Sequence, residues 1–430
     1  MKKTLIFKML SVLFLLLVAG LEAQTSTENY VQSKTCFNGD CSSRAETVTY
    51  FDGLGRPKQI VGVKASPLGR DVVTHIEYDA FGRQIYDFLP VPQPGTQNGG
   101  IVPLSLANAT QPDIYGQEKI FSEKVFENSP LDRILEQKHP GNAWSTKPVR
   151  FEYGVNIGND VFQFITTTVP ENNATKSSVS FSSTYAAGQL YRNAVTDEDG
   201  NKTYEYKNGK GQTILSRKML SGAEYADTYY VYNEYNQLAF VIPPKAVNQA
   251  ITETLLNELC YQYRYDGQGR LVEKKLPGKG WEYMLYDKQD RLVATQDAEL
   301  RKKSQWLYTK YDKFGRVAIT GLSKGGARSY EQALADLQNS NNVERIGTVF
   351  FNRQGMDVYY NNPEGTYPKS PAWVSLLSLN YYDTYPPDAP GVPLIVEGQY
   401  TLAQELSASD DASTKSLVTA SYVKNIEDDK

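Results

Sequence analysis

The stretch "YRYDGQGRLV", residues 263–272 of a 430-residue chain, decides how the fold is read. Close copies return as "YDAFGR" (78–83), "YDKQDR" (286–291) and "YDKFGR" (311–316). A catalytic motif is needed once, whereas a recurring decamer is a building unit. Asp at the first turn position accepts a hydrogen bond from the backbone two residues on, which starts a type I turn. Three residues later a positive φ is needed to complete a hairpin with a G1 bulge; Gly adopts it most freely, with Asn and Asp next. Tyr261, Tyr263 and Tyr265 share one face before the turn, and "RLVEKKL" follows it, so the unit reads as strand, tight turn, strand.

Aligned on this step, seven copies emerge. They are Phe51-Asp52 with Gly55-Arg56, Tyr78-Asp79 with Gly82-Arg83, and a weaker Lys207-Asn208 with Gly211-Gln212. Tyr232-Asn233 with Asn236-Gln237 and Tyr265-Asp266 with Gly269-Arg270 come next, then Tyr286-Asp287 with Asp290-Arg291 and Tyr311-Asp312 with Gly315-Arg316. The first pair is 27 residues apart, and the last four follow at steps of 33, 21 and 25, which marks a repeat architecture. Each Arg is expected to lie across from the incoming Tyr or Asp, where stacking or an ion pair forms. These Asp, Gly and Arg residues are read as turn chemistry, not catalysis. A lone hairpin cannot bury a core, which is why the unit repeats.

Composition narrows the function classes. Forty-five Lys and Arg against 49 Asp and Glu give a net charge of -4, so nothing marks a nucleic-acid binder. Tyrosine is abundant at 31 residues, which favours sheets with wet edges. Only two histidines occur, His75 and His139, in separate contexts, and no CxxC spacing exists, so no metal or other cofactor is indicated. Lys2, Lys3 and Lys8 flank the apolar run "SVLFLLLVAG" (11–20), too short for a stable membrane anchor, and Ala23 precedes a cleavage position at Gln24. The chain is therefore expected to be exported by a signal peptide, secreted or at the cell surface, without a transmembrane anchor. Its mature form would carry 42 basic against 48 acidic residues, since three Lys and Glu22 are removed. In an oxidising compartment Cys36 and Cys41 of "CFNGDC" suit a small disulfide loop, with two free thiols as the competing reading. Cys260 reads as a small buried apolar residue.

These repeats resemble the RHS/YD repeats of large bacterial secreted proteins. The likeness is strongest over residues 241–321, with "IPPKAV", "YRYDGQGRLVEKKLPGKGWEYMLYDKQDRLVATQD" and "WLYTKYDKFGRVAITG". The opening "TYFDGLGRPKQIV" resembles the uncharacterised N-terminal domain of such proteins. The resemblance implies a β-sheet wound into a hollow shell, which in many members holds a C-terminal toxin released by aspartyl self-cleavage. The cleavage step is lacking here, since "PDAPG" (387–391) does not match it. The chain is expected to be an N-terminal fragment whose shell is open, and its partners to be the missing C-terminal part of the polypeptide or surface glycans or proteins.

The expected fold is mainly β: antiparallel YD-repeat hairpins in an extended curved sheet, with two short helices. Residues 1–23 are the signal peptide and 24–46 a polar, flexible leader. Residues 47–200 form an N-terminal β domain with two repeats and the Pro/Gly-rich loop "LPVPQPGTQNGG" (89–100), where the sheet should break. The repeat array covers 201–321, an insertion with a helix 322–380, and the start of further repeats 381–430. One helix is expected across "PKAVNQAITETLLNELC" (244–260), and another from "SYEQALADLQNS" (329–340), capped by Ser329 with Gln332 three residues on.

The function expected from this is an exported, non-catalytic β-repeat scaffold, and the resemblance implies that its intact form serves cell contact or toxin delivery. The alternative is a surface carbohydrate- or protein-binding module, in which case at least one of Trp144, Trp281, Trp306 and Trp373 should be an exposed stacking platform. A further alternative is a glycosidase with paired carboxylates. "TDEDGNK" (196–202) is an acidic turn with too few oxygen ligands for a calcium loop.

Overall fold

The computed structural model describes residues 27–93, 97–103, 115–338, 341–361, 366–369, 373–402, 404, 413–425 and 427. The expected signal peptide lies outside the described residues. The fold is mainly β, with large antiparallel sheets. It divides into two compact units, one of Met1–Val155, Tyr191–Tyr206 and Arg217–Tyr225, the other of Asn156–Leu190, Lys207–Ser216 and Ala226–Lys430.

In the first unit, strands Asn29–Cys36, Arg44–Phe51, Pro57–Gly62, Val72–His75 and Val91–Pro92 form one sheet in that order. Alternation places Val48 and Tyr50 on the same face, where they meet Val61 and Val73 in a fully buried cluster. Two segments differ from expectation. Residues 29–36, read as flexible leader, pair along their whole length with Arg44–Phe51. Short polar side chains masked the strand, because neither of its faces is buried. The Pro/Gly-rich loop does not leave the sheet at once: Val91 and Pro92 pair with Val73 and Val72. The described residues after it are pinned by buried polar groups. Asp71 accepts from Gly99 N at 2.8 Å, Tyr50 Oη donates to Gly99 O at 2.7 Å, and Gln59 brackets Val102 with two hydrogen bonds. A second ladder runs Tyr86–Phe88, Phe121–Phe126, Ile134–Lys138, Val149–Val155 and Tyr191–Thr196.

In the second unit an antiparallel array runs Tyr225–Tyr232, Leu238–Ile242, Tyr261–Tyr265, Leu271–Lys275, Trp281–Tyr286, Leu292–Gln296, Gln305–Tyr311, Val317–Lys324, Trp373–Tyr382 and Val418–Val423. From Tyr225–Tyr232 to Val317–Lys324 neighbours in space are neighbours in sequence, whereas the last two strands join after long insertions. One face is covered by the segment between Val317–Lys324 and Trp373–Tyr382. Ala335, Val343, Val358, Tyr359, Tyr360 and Tyr367 from that segment pack with Trp306, Tyr308, Ile319, Trp373 and Tyr381 in one core. A long hairpin, Phe162–Glu171 with Ala174–Thr184, also belongs to this unit, although it falls inside the span read as the N-terminal β domain. Phe162 stacks on Tyr229, and Tyr265 N donates to Thr175 Oγ1 at 2.9 Å.

Four short helices stand among the described residues, where two were expected: α1 (Pro244–Val247), α2 (Glu253–Leu259), α3 (Ala298–Lys302) and α4 (Arg328–Asp336). The helix read across 244–260 is split in two. The Thr252 hydroxyl accepts from Leu255 N at 3.1 Å, a cap that starts a new helix instead of continuing the old one. The start of α4 is also displaced. Its cap is Ala327, with no side-chain cap bond, and Ser329 lies inside the first turn. Glu331 takes the outward N–H instead, accepting from Gly326 N at 2.6 Å.

Candidate functional site

The recurring turn is built from one carboxylate. Asp266 N donates to Arg270 O and Gly269 N to Asp266 O, both at 3.0 Å, and Gly269 has φ +81°. Asp266 Oδ1 accepts from Gln268 N and Arg270 N at 2.9 Å, while Oδ2 accepts from Arg270 Nε at 2.7 Å. Asp52, Asp79, Asp287 and Asp312 hold Arg56, Arg83, Arg291 and Arg316 in the same way. Gly55, Gly82, Gly315 and Asp290 take the positive-φ position, at +76°, +82°, +79° and +59°. The backbone N–H of Arg56, helped by its guanidinium, keeps the Asp52 carboxyl below the usual range.

The outer face of each Arg meets the next hairpin. Arg270 lies 5.0 Å over the Tyr286 ring, whose hydroxyl donates to Leu271 O at 2.8 Å. Arg291 with Tyr311, and Arg316 with Tyr382, repeat the arrangement at 4.6 Å and 4.2 Å, with the hydroxyls donating to Leu292 O and Val317 O. In the first unit Arg56 covers Tyr78, which donates to Pro57 O. The Tyr before Asp79, Asp287, Asp312 and Asp383 is therefore the receiver for the preceding Arg, and the pair forms an inter-hairpin clasp. Some clasps gain an ion pair, as in Arg270 with Asp290 at 2.9 Å and Arg83 with Asp132 at 2.8 Å. In the copies at Asn208 and Asn233 amides replace the ions: Asn208 Nδ2 donates to Gln212 Oε1 at 2.8 Å, and Asn233 Nδ2 to Gln237 Oε1 at 2.9 Å.

A second feature of the array is a cleft of about 520 Å³ within the second unit. Arg264, Arg301 and Arg328 line it, together with Glu171, Glu273 and Tyr283. Glu273 is buried and fully occupied, accepting from Arg264 Nη1 at 3.0 Å on one oxygen and from Arg328 Nε at 2.7 Å on the other. Arg328 Nη2 donates to Asn172 O at the tip of the long hairpin. Arg301, exposed on α3, donates to the Tyr283 hydroxyl at 2.7 Å. Glu171 pairs with Lys176 at 2.8 Å, which keeps its carboxyl below the usual range. Among the described residues no group of His, Cys, Asp and Glu could hold a metal ion.

Residues 23–156 match the family described as Domain of unknown function (DUF6443). No curated protein matches the sequence. Among solved structures, the crystal structure of TcdB2-TccC3-TEV is similar, with 14% identity, a TM-score of 0.42, and coverage of 72% of this chain and 15% of that one. TcdB2-TccC3 without its hypervariable C-terminal region gives 14%, 0.42, 82% and 16%. A Tc holotoxin pore of Photorhabdus luminescens gives 14%, 0.41, 85% and 16%. The chain spans about a sixth of the length of these chains.

Other residues singled out in the sequence fall as follows. Cys36 and Cys41 are joined by a disulfide. Cys260 is fully buried, and burial pushes its thiol up to about 11. His75 is buried with Nε2 2.9 Å from Glu77, and His139 lies 2.8 Å from Glu198. Trp306 and Trp373 are core residues, Trp281 is covered by Arg264 at 4.2 Å, and Trp144 is exposed. The acidic turn at 196–202 is another copy of the clasp turn. Asp197 N donates to Asn201 O at 3.0 Å, Asn201 Nδ2 to Asp197 Oδ2 at 2.9 Å, and Gly200 has φ +84°. Glu127 and Arg133 close a longer version through two hydrogen bonds of 2.8 and 2.7 Å, which hold the Glu127 carboxyl at about 2. No helix among the described residues is long and apolar enough to cross a membrane.

Proposed function

We propose that this chain is an exported, non-catalytic β-repeat scaffold, the N-terminal part of an RHS-type shell that serves cell contact or toxin delivery in its intact form. Residues 1–23 act as the signal peptide, and the partner is a further part of the same polypeptide. The observation that carries this reading is the clasp: Arg56, Arg270, Arg291 and Arg316 each reach a Tyr of the next hairpin, as with Arg270 and Tyr286. A unit whose outward group needs a copy of itself is a device for building a wall. Support for a non-catalytic role comes from the cleft carboxylates, since Glu273 has both oxygens taken by arginines and Glu171 is tied to Lys176. Both carboxylates are committed to cations of the protein, whereas glycoside hydrolysis needs a pair free to act on the substrate.

The test has two arms in the producing bacterium. The exported protein should begin at Gln24 and be recovered outside the cytoplasm. Deleting its coding region should abolish inhibition of neighbouring cells in contact co-culture. Cytoplasmic retention with an intact N-terminus, or unchanged competition, would overturn the reading.

A further inference from the structure

The cleft holds an arrangement that the scaffold role does not use. Its charged lining groups are three arginines against two glutamates, Arg264, Arg301 and Arg328 facing Glu171 and Glu273, so it is positive by one. The strand Val317–Lys324 runs through Gly325 and Gly326 into α4, whose first turn has no side-chain cap. The N–H groups of a first helical turn lack partners within the helix and carry a partial positive charge. Here Gly325 N and Gly326 N are used by Ser304 O and Glu331 Oε1, whereas Ala327, Arg328 and Ser329 form part of the cleft wall.

A second observation is independent of the helix. The Arg328 side chain is only 3% exposed, yet its Nη1 has no hydrogen-bond partner, although Nε and Nη2 are both engaged. A buried guanidinium N–H left unpaired is costly unless something else completes it. Glu273 sets one negative charge against the two inner arginines, so one positive charge and the Nη1 donor are left for a further acceptor.

The geometry points to a binding site for a carboxylate-bearing sugar, of the uronic-acid class, with its carboxylate at Arg328 and the start of α4. A volume of about 520 Å³ is within the range of small-molecule sites, about 300–1,000 Å³, and exceeds what a simple inorganic anion fills. The lining beyond the arginines is hydrophilic, with Gln296, Ser304 and Ser329 offering partners for hydroxyls. Arg301 lies 5.2 Å over the Tyr283 ring, so its guanidinium forms the surface on that side of the cleft. With Nε and Nη2 engaged, Arg328 offers a ligand carboxylate one charge-assisted hydrogen bond, from Nη1.

Sodium glucuronate, glucose and inorganic phosphate are titrated into the full chain by calorimetry, with thermal unfolding in parallel. Glucuronate is expected to bind at least about tenfold more tightly than either other probe. Arg301→Gln, on an exposed helix, should weaken glucuronate severalfold without lowering the melting temperature of the free protein. Ser329→Asp is the sharper variant, because an acid in the first helical turn preserves or raises helix stability yet repels the ligand. Arg328→Gln should abolish binding, and if it misfolds the other two variants still decide. Absent glucuronate binding, equal binding of glucose, phosphate as tight as glucuronate, or undiminished binding by Ser329→Asp would each overturn the proposal. None of these outcomes bears on export or on the scaffold reading.

Discussion

Asp266 shows how much a single side chain settles. It closes its own turn with two backbone N–H groups on Oδ1 and orients Arg270 with Oδ2, and Arg270 in turn reaches Tyr286. Asn208 and Gln212 reproduce the in-turn part of this geometry without charge. The comparison suggests a double-mutant cycle. Asp266→Asn and Arg270→Gln alone should each lower the unfolding free energy by about 1–2 kcal/mol, since each breaks a charge-assisted bond. The double substitution should cost less than the sum, with a coupling of about 0.5–3 kcal/mol in urea denaturation. Strict additivity would mean that the clasp does not act as a pair. This turn was readable from sequence because all its bonds fall within five residues and need a positive φ at one fixed place. The turn at Asp197 was read as an acidic turn but not as a copy of this one, and the turn at Glu127 was missed, because the pattern sought was narrower than the geometry. In one Thr and Asn stand where Tyr and Arg were sought, and in the other two extra residues separate the pair.

At the level of elements, the array depends on how closely its strands approach the segment that covers them. Gly321, in strand Val317–Lys324, pairs with Leu376, and a Cβ there would come within 2.4 Å of Ser375 O and 2.5 Å of Tyr308 Oη. Both atoms belong to packed strands and cannot yield cheaply. Gly321→Ala should therefore destabilise by about 1–3 kcal/mol through overpacking. Gly347→Ala, with nothing within 4 Å of its Cβ, should leave the chemical-denaturation midpoint nearly unchanged. Strand existence was legible from alternating Tyr rows, but the covering layer was not. It consists of Ala335, Val343, Val358 and three tyrosines scattered over 335–367, with no period to announce that they meet Trp306 and Trp373. The arginine-lined cleft was invisible for a related reason. Its residues come from the hairpin tip at 171–172, two sheet hairpins and the start of α4, far apart in the chain and joined only by the fold. The helix at 244–260 was half legible: periodicity was present, yet Thr252 offered the backbone a cap and divided it.

Across the whole molecule four turn carboxyls share one chemical vulnerability. The carboxyls of Asp52, Asp197 and Asp383 are held below their usual value of 3.8, and that of Glu127 at about 2 against its ordinary 4.5. The leading causes are the Arg56 backbone N–H for Asp52, and the side chains of Asn201, Arg316 and Arg133 for the others. A folded-state value below the unfolded one contributes stability that is complete above the ordinary carboxylate range and is lost as pH falls through it. The urea midpoint should thus stay flat from neutral pH to about 5 and fall steeply from about 4.5 towards 2. A midpoint unchanged at pH 3 would show that these carboxyls carry no folding energy. One further property lies in the turn at Asp383. Its N–H donates to Leu417 O at 3.0 Å, and Arg316 grips its carboxylate at 3.0 and 2.7 Å, yet residues 384–416 intervene between the two ends of the turn. The preceding hairpin has taken over the job of holding the corner. Foreign peptide can accordingly be spliced in at such a corner without unseating the wall, and lineages of this repeat can acquire new surface parts there while their framework stays untouched.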